Sequence, residues 1–549
     1  MLQKSPTDDT ETTSRVFEPP VDEDVAPRRE LLFADDTRNR DRRRRPAWVL
    51  VAMFAAALLT TLVFVVRAGD AGSSNWPVNW ELWSSDNGVL FQLLQDVAAG
   101  RALDWSFSPQ VYVFPELPVS ALAFVLTGGD VYAYYLLVAA INNALLFGAL
   151  YLVVRLLFPG VDVAAHLARA AVAWLPLVIL PLIGTTWMFS FHLAPTYYFG
   201  MYLVLLGAPA LYLARSRGAR RAIAGAIALT AASNPLVLVF AVPALGLVGL
   251  LTGLRLGRRA IERPALWLGT VLAAAFVIRI VAFTGLQGTS PFTYVDIQLF
   301  RARLDWLWPH ATNSAGALIL LTGLLAAVMC LVGAVLLARL YWRRRDPRHL
   351  VAVWYGLVPL VGLAGTVALL VTHQYYLWPV LVAPLVFLLL AVPFRAVPWT
   401  LAAGLVTVVA LVMTTSSFGD EGRYFGHRSA ETQCLDDVLP VGDEVGYATF
   451  SDARRLSLTS ERGIRFIPLK SSGVQATWLT NLDYLHAETG TFFYLNEAQG
   501  EPVIDKEFIS RSFGEPDEVL GCGGKSAIWL YSEPAKLARI TAHFQVRPR

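Results

Sequence analysis

The sequence predicts a polytopic α-helical membrane protein that ends in a small extracytoplasmic α/β domain. The chain of 549 residues is 55% hydrophobic and only 16% charged, and its mean hydropathy is +0.50. A soluble protein of this length needs far more polar surface. The apolar residues fall in blocks of about 20, long enough to cross a hydrocarbon core about 30 Å thick. After residue 415 these blocks give way to short β-type segments separated by turns.

Residues 1–45 are polar and lack periodicity, which predicts a disordered cytoplasmic tail. The tail ends in the run Arg42–Arg45, and basic residues mark the cytoplasmic ends of membrane helices. The multi-spanning domain then covers residues 46–415, with long external loops at 67–110 and 285–314. Its apolar blocks lie at 47–66, 111–127, 131–157, 164–184, 195–214, 222–254, 265–284, 316–338, 350–371, 376–394 and 396–415.

The block at 222–254 is broken at Asn234-Pro235, which predicts two short helices that meet at an external turn. With that block counted twice, the sequence contains 12 blocks. The basic turn at 339–348 places the C-terminal region outside, while Arg42–Arg45 place the N-terminus inside. These opposite ends require an odd number of crossings. One block between 111 and 214 is therefore misread: it either does not cross the membrane or crosses it twice. We expect 11 or 13 transmembrane helices.

Residues 416–549 predict an extracytoplasmic α/β domain, large enough for its own core. Short β-type runs occur at 444–450, 463–469, 476–479, 491–495 and 526–531. Cys434 and Cys522 lie in this domain and could form a disulfide if it is outside the cytoplasm. The Ala- and Arg-rich, Lys-poor composition is typical of a high-GC bacterium, so we expect a bacterial plasma membrane protein.

The first external loop predicts an amphipathic helix at the membrane surface, because apolar residues from Val89 to Val97 share one face. Asp86 stands just before this helix. It could act as a general base toward a sugar hydroxyl, bind a divalent metal, or simply cap the helix. Asp96 is a second catalytic or metal-binding candidate, and a solvated position on the helix flank is the alternative.

The order Asp86, Gly100 and then Pro115-Glu116-Leu117-Pro118 before the next helix resembles the GT-C superfamily of membrane glycosyltransferases. This superfamily includes the protein mannosyltransferase, aminoarabinose transferase and mycobacterial arabinosyltransferase branches. The resemblance covers roughly residues 46–415 and implies a polyprenyl-phosphate-linked sugar donor and an essential acid in the first external loop. It adds Glu116 to the candidate substrate-binding residues. Many members carry paired acids where this chain has Asp86-Asn87. The need for a divalent cation as cofactor is therefore left open.

A donor phosphate requires cations or hydrogen-bond donors at the external face. Arg301 and Arg303 lie beside Trp306 and Trp308 in the second loop and could chelate a phosphate, or snorkel within an aromatic belt. The remaining candidates are an outer-end arginine within a membrane helix and four residues at external helix ends. They are Arg279, His192, His373, Tyr375 and Tyr376. An interfacial polar cap is the alternative for the two histidines.

The sequence contains no Walker motif, dinucleotide fingerprint or zinc-ligand spacing. The resemblance to the GT-C superfamily implies a glycosyltransferase that acts on the outer face of the membrane, with Asp86 as general base. The expected partners are a polyprenyl-phosphate-linked sugar, an envelope glycan, glycolipid or protein acceptor, and membrane lipids, with no nucleic acid. The alternatives are a transporter or flippase of a lipid-linked envelope precursor, and a non-catalytic envelope protein.

Overall fold

The computed structural model describes residues 46–69, 86–183, 191–196, 198–214, 216–256, 269–283, 314–344, 348–368, 378–393, 395–415, 424–426, 428–442, 444–487, 489–496, 503–522 and 526–544. The chain divides into a unit of Met1–Leu50, of which only the start of the first helix is described, and a unit of Val51–Arg549.

Apolar helices dominate the described residues up to 415. They are α1 (Pro46–Gly69), α2 (Gly88–Ala98), α3 (Glu116–Thr127), α4 (Val131–Leu157), α5 (Val163–Ile183), α6 (Phe199–Gly207), α7 (Ala210–Leu213), α8 (Arg217–Ser233), α9 (Leu236–Phe240), α10 (Val242–Leu256), α11 (Gly269–Phe283), α12 (Ser314–Arg344), α13 (Arg348–Ala368), α14 (Trp378–Leu390) and α15 (Val397–Thr415). A short strand, β1 (Trp105–Ser106), lies between α2 and α3.

Two of the described helices are long and apolar enough to cross a membrane, namely α4 and the Val163–Leu182 part of α5. The pair Arg217–Ser233 and Leu236–Leu251 also qualifies if it is one broken span, and it bends by 119° where Asn234-Pro235 predicted a turn. These helices and the composition identify a membrane protein. The larger number of 11 or 13 crossings stays a prediction.

The predicted block at 195–214 is wrong as one continuous helix. The structure divides it into α6 and α7, with Pro209 at the N-cap of α7. Proline cannot donate a backbone hydrogen bond, so it readily begins a new helix but does not continue an old one. The helices pack through buried aromatic residues: Trp354 of α13 donates to the Leu205 carbonyl of α6 at 3.2 Å.

The C-terminal region contains helices and strands in alternation, as an α/β domain requires. The helices are α16 (Ala430–Val438), α17 (Phe450–Thr459), α18 (Leu482–Ala487), α19 (Lys506–Phe513) and α20 (Pro534–Phe544). The strands are β2 (Val445–Thr449), β3 (Arg465–Leu469), β4 (Thr480–Asn481), β5 (Phe492–Asn496), β6 (Glu518–Gly521) and β7 (Ser526–Leu530).

Five of these strands form one mixed sheet in the order β3-β2-β5-β7-β6. Strand β2 runs parallel to β3 and β5, whereas β7 is antiparallel to β5 and β6. The predicted strands at 444–450, 463–469, 491–495 and 526–531 are confirmed with small shifts. The predicted strand at 476–479 is wrong, because the pairing residues are Thr480 and Asn481 and their partner is β1 of the first external loop.

The α/β domain therefore contacts the first external loop directly. Strand β1 pairs antiparallel with β4, with Trp105 opposite Asn481 and Ser106 opposite Thr480. The Leu482 amide donates to the Asp104 carbonyl at 2.7 Å. The buried face of α2 packs against α3 and α4, since Phe91 makes edge-to-face contacts with Phe124 and Tyr134. Helix α2 thus lies between the helical domain and the α/β domain.

Candidate functional site

The turn at Asp86 and Asn87 leads into α2 and is held from a distant part of the chain. Asn87 occupies the N-cap position but makes no side-chain cap hydrogen bond. Its Oδ1 instead accepts a hydrogen bond from Thr196 Oγ1 at 2.8 Å. The structure thus assigns the N-cap position of α2 to Asn87, and Asp86 precedes it. The turn fixes the Asp86 backbone beside the segment 191–196.

Gly88 permits a close approach of the α/β domain to this turn. A Cβ atom at position 88 would lie 2.4 Å from Leu458 Cδ1 and 2.5 Å from Arg454 Cδ, both on α17. Real Cβ atoms do not approach other atoms so closely, so any larger residue forces the Leu458 and Arg454 side chains to move. The sequence Asp86-Asn87-Gly88 therefore combines an acidic residue with a glycine against which α17 packs closely.

Arg454 is the cation that α17 places against Gly88. Arg454 is only 5% exposed. Its Nε donates to Gln92 Oε1 at 2.8 Å and its Nη2 to the Leu479 carbonyl. Burial lowers the pKa of Arg454 to about 10, and the charges of Asp86 and Asp96 oppose that shift. Arg454 is thus charged at neutral pH, and its field favours the ionised form of Asp86. We call Asp86, Asn87, Gly88, Thr196 and Arg454 the Asp86 cluster.

Asp96 lies at the other end of α2 and is fully buried. Its Oδ2 accepts from Trp105 Nε1 at 3.1 Å and from Asn481 Nδ2 at 2.9 Å. Its Oδ1 accepts from Arg101 Nη1 at 3.4 Å and from the Tyr484 hydroxyl. The solvated-flank alternative for Asp96 is therefore wrong, because the α/β domain covers this side of α2.

The position of Asp96 bears on its predicted catalytic role. Eight residues separate it from Gly88 along α2, which is about 12 Å at the rise of an α-helix. Both carboxylate oxygens already accept hydrogen bonds from the first loop and the α/β domain. These contacts suit a group that fixes the domain on α2, and its catalytic role stays a prediction.

Glu116 begins α3 and is only 2% exposed. Its Oε1 accepts a hydrogen bond from the Gly200 amide at 2.8 Å, in the first turn of α6. A carboxylate at a helix N-terminus is stabilised by the unpaired amides and the helix dipole. Glu116 therefore joins α3 to α6, and the structure leaves its predicted substrate-binding role untested.

His192 lies in a 3₁₀ turn, Phe191–Leu193, and is 1% exposed. Burial lowers its pKa to about 4, although the Leu177 backbone opposes that shift. The imidazole is consequently neutral at neutral pH and cannot supply a positive charge to a phosphate. The neighbouring Leu193 packs in one apolar cluster with Phe91 of α2, so this turn lies on the same side of the molecule as the Asp86 cluster.

Arg279 of α11 contacts the first external loop. Its Nη1 donates to the Ala232 carbonyl at 2.9 Å and its Nη2 to the Pro109 carbonyl at 3.0 Å. Ser233, next to Ala232, accepts from the Phe114 amide through its Oγ at 3.1 Å. Arg279 thus helps to hold the loop between β1 and α3 against the end of α8, and its predicted role as a phosphate ligand stays a prediction.

Five other predicted site residues lie outside the described residues, namely Arg301, Arg303, His373, Tyr375 and Tyr376. Within the described part of the chain, no three His, Cys, Asp or Glu side chains converge in a way that could hold a metal ion. Cys434 and Cys522 form a disulfide in the structure, which joins α16 to the residues that follow β6.

Arg454, Thr196 and Gly88 are members of the Asp86 cluster that the sequence did not indicate. Arg454 and Gly88 are separated by more than 360 residues, and neither stands in a motif. The Asp-Asn-Gly order was the only local signal, and it is also a common turn sequence. Their juxtaposition depends on how the α/β domain docks on α2.

No protein-family model and no curated protein matches this chain. Among solved structures, the chain is similar to the crystal structure of the oligosaccharyltransferase from Archaeoglobus fulgidus in complex with zinc and sulfate, with 12% sequence identity and a TM-score of 0.41. The similarity covers 76% of this chain and 62% of the archaeal chain.

Proposed function

We propose that this protein is an integral membrane glycosyltransferase of the GT-C type. It transfers a sugar from a polyprenyl-phosphate donor to an envelope glycan, lipid or protein on the outer face of a bacterial plasma membrane. The observation that supports this proposal best is the Asp86 cluster. It holds an acidic residue at the start of α2 and sets the buried cation Arg454 beside it.

In the proposed reaction, an acceptor hydroxyl attacks the anomeric carbon of the donor sugar. The new C–O bond forms as the bond from that carbon to the phosphate oxygen breaks, and the phosphate leaves with the bonding electrons. Asp86 accepts the hydroxyl proton as the attack proceeds. The charges of Arg454 and Asp86 attract each other, and the ionised carboxylate is the form that accepts the proton in the proposed reaction.

The proposed phosphate-binding groups are Arg301, Arg303, His373, Tyr375 and Tyr376, and a planar guanidinium is well suited to a phosphate. Because His192 is neutral, it can contribute only hydrogen bonds. A divalent cation at Asp86 remains compatible with the proposal, but Asp86 is then a ligand as well as a base.

Replacing Asp86 with Asn tests the proposal, since the amide keeps the size of the side chain and cannot accept the proton. We expect transfer from radiolabelled polyprenyl-phosphate sugars, measured in membranes containing the full chain, to fall about 10²- to 10⁴-fold. The matched control is Asp104→Asn, an exposed acid of the same loop, which should transfer at the wild-type rate. Wild-type transfer by a folded Asp86→Asn protein would show that Asp86 is not the base.

A further inference from the structure

The residues around the start of β4 contact both Asp96 and Arg454. The Leu479 carbonyl accepts a hydrogen bond from Arg454 Nη2. Two residues further on, the side-chain amide of Asn481 donates to Asp96 Oδ2 at 2.9 Å and to the Ala102 carbonyl at 2.9 Å. A short stretch of backbone, which we call the 479–481 segment, therefore connects the buried acid at one end of α2 with the buried cation beside the other end.

Leu479 has an unusual backbone conformation within this segment. Its φ angle is 51°, in the left-handed region that a residue with a Cβ atom rarely adopts. Such a conformation persists only where the surrounding structure holds it, and it is found most often at functional sites. Here the strained residue is fully buried, and its carbonyl is the one that contacts Arg454.

The end of the segment that follows Leu479 is fixed by Asn481. The backbone of Asn481 pairs with Trp105 of β1, and its side-chain oxygen accepts from the Asp483 amide at 3.2 Å. Asp96 and Asn481 are 0% and 1% exposed, respectively. If the Asp96 carboxylate is lost, one of the two amide hydrogens of Asn481 becomes buried and unpaired, and the segment has to move to satisfy it.

The orientation of the Arg454 guanidinium depends on the Leu479 carbonyl. Its Nε donates to a glutamine of α2 at 2.8 Å and its Nη2 to this carbonyl. The guanidinium is a rigid planar fork, so two contacts through different nitrogens fix the direction in which it points. The titratable groups that interact with it are Asp86, Asp96 and Tyr135 of α4. A shift of the Leu479 carbonyl therefore changes how Arg454 faces Asp86.

We propose that Asp96 is a positioning residue of the Asp86 cluster. It holds Asn481, and through the 479–481 segment it keeps the Leu479 carbonyl where it directs the Arg454 guanidinium toward Asp86. Asp96 thus acts on the proposed base from the far end of α2, without contact with a substrate. The placement of Arg454 depends only on these contacts, whereas its effect on transfer rests on the proposed function.

The experiment measures the protonation of Asp86 in the purified full chain in detergent. Dicyclohexylcarbodiimide modifies protonated carboxyl groups, and mass spectrometry of the proteolytic peptide assigns the label to Asp86 across a pH series. The midpoint of labelling reports the pKa of Asp86 and requires no sugar substrate. Arg454→Gln should move this midpoint upward by about one pH unit, because a neighbouring cation lowers the pKa of a carboxyl group.

Two variants break the connection at different points. Asn481→Ala removes the link between Asp96 and the 479–481 segment, and it should also move the labelling midpoint upward by about one pH unit. Asp96→Ala removes the acceptor itself. Loss of the Asp96 charge alone would lower the pKa of Asp86, since a nearby negative charge raises it. An upward movement of the midpoint in Asp96→Ala therefore reports displacement of Arg454.

The matched control is Trp105→Phe, which removes a different hydrogen bond to Asp96 Oδ2, of 3.1 Å, from the first external loop. This variant keeps the backbone pairing of β1 with β4 and leaves the link to Asn481 in place. It should lower the Tm, as Asn481→Ala does, but leave the labelling midpoint at the wild-type value. An unmoved midpoint in folded Asn481→Ala and Asp96→Ala would overturn the inference. So would an equal movement in Trp105→Phe, or an unmoved midpoint in Arg454→Gln.

Transfer assays separate this inference from the proposed function. Asn481→Ala should move the acid limb of the kcat/KM profile upward, as Arg454→Gln does. Loss of transfer by Asp96→Ala at every pH, with a wild-type labelling midpoint, would give Asp96 a catalytic role and overturn its positioning role. Wild-type transfer by Asp86→Asn would overturn the proposed base, but the labelling results would still decide whether Asp96 positions Arg454.

Discussion

At the scale of single residues, the interaction of greatest consequence is the electrostatic one between the loop acid Asp86 and Arg454, a cation more than 360 positions away. Arg454 is buried, which lowers its pKa to about 10, and the charges of Asp86 and Asp96 oppose that shift. An unpaired buried guanidinium is costly, so the acid and the cation depend on each other. The sequence indicated Asp86 through its loop position, but it contained no signal for its partner.

Removing this cation should change the pH dependence of transfer. Arg454 favours the ionised form of Asp86, so Arg454→Gln should raise the pKa of the Asp86 carboxylate. A base with a raised pKa is protonated at higher pH, and the acid limb of the kcat/KM profile should therefore move upward by about one pH unit. The profile is measured between pH 3 and 9.

Arg454→Lys is the matched variant, because it retains the charge but loses the planar fork. Its acid limb should stay close to that of the wild type even if its rate falls. An unshifted limb in Arg454→Gln, with transfer still measurable, would show that Arg454 does not act on the catalytic base.

At the scale of elements, α2 shows how far an amphipathic pattern can be trusted. The pattern correctly buries Val89 and Leu90, but Val97 is 52% exposed and Asp96 is fully buried. Periodicity identifies a face of a helix, whereas burial depends on what packs there. The α/β domain covers the Asp96 side of α2, and its docking depends on long-range pairing of β1 with β4 that no local pattern encodes.

Close packing of α2 against α17 can be tested by adding one methyl group at position 88. Gly88→Ala would put its Cβ 2.4 Å from Leu458 and 2.5 Å from Arg454, so we expect a destabilisation of about 1–3 kcal/mol from overpacking. Thermal unfolding in detergent should show a lower Tm, and transfer should fall because Arg454 is displaced from Asp86.

The control is Gly225→Ala in α8, where an added Cβ meets no heavy atom within 4 Å. This substitution should be neutral or slightly stabilising, because alanine favours helix over glycine by about 1 kcal/mol. Equal Tm values for Gly88→Ala and the wild type would mean that α17 does not pack on α2 as described.

At the scale of the whole molecule, the sequence predicted an apolar helical domain followed by an α/β domain, but it did not determine the number of membrane crossings. The block 131–157 coincides with α4 because a long apolar run is an unambiguous signal. The block 111–127 yields α3 of only 12 residues, about 18 Å long, which is less than the roughly 30 Å core. Helix α6 is shorter still, so these two segments are the candidates for the one misread block of the 111–214 region.

The orientation of the chain gives a prediction that does not depend on this count. The basic run from Arg215 to Arg221 predicts a cytoplasmic turn, whereas the Cys434–Cys522 disulfide is suited to an oxidising compartment outside. A cysteine at Val441, which is 97% exposed, should therefore react with a membrane-impermeant maleimide in intact cells. A cysteine at Gly218, an exposed position with no heavy atom within 4 Å, should react only after permeabilisation.

Both cysteines are introduced into a Cys330→Ala background, since Cys330 is the free thiol among the described residues. Labelling is quantified by the mass shift of the purified protein. Reaction of Gly218→Cys but not Val441→Cys in intact cells would show the opposite orientation, with the α/β domain and Arg454 in the cytoplasm. A lipid-phosphate donor would then have to be used from the cytoplasmic leaflet, and the reducing cytoplasm would disfavour the Cys434–Cys522 bond.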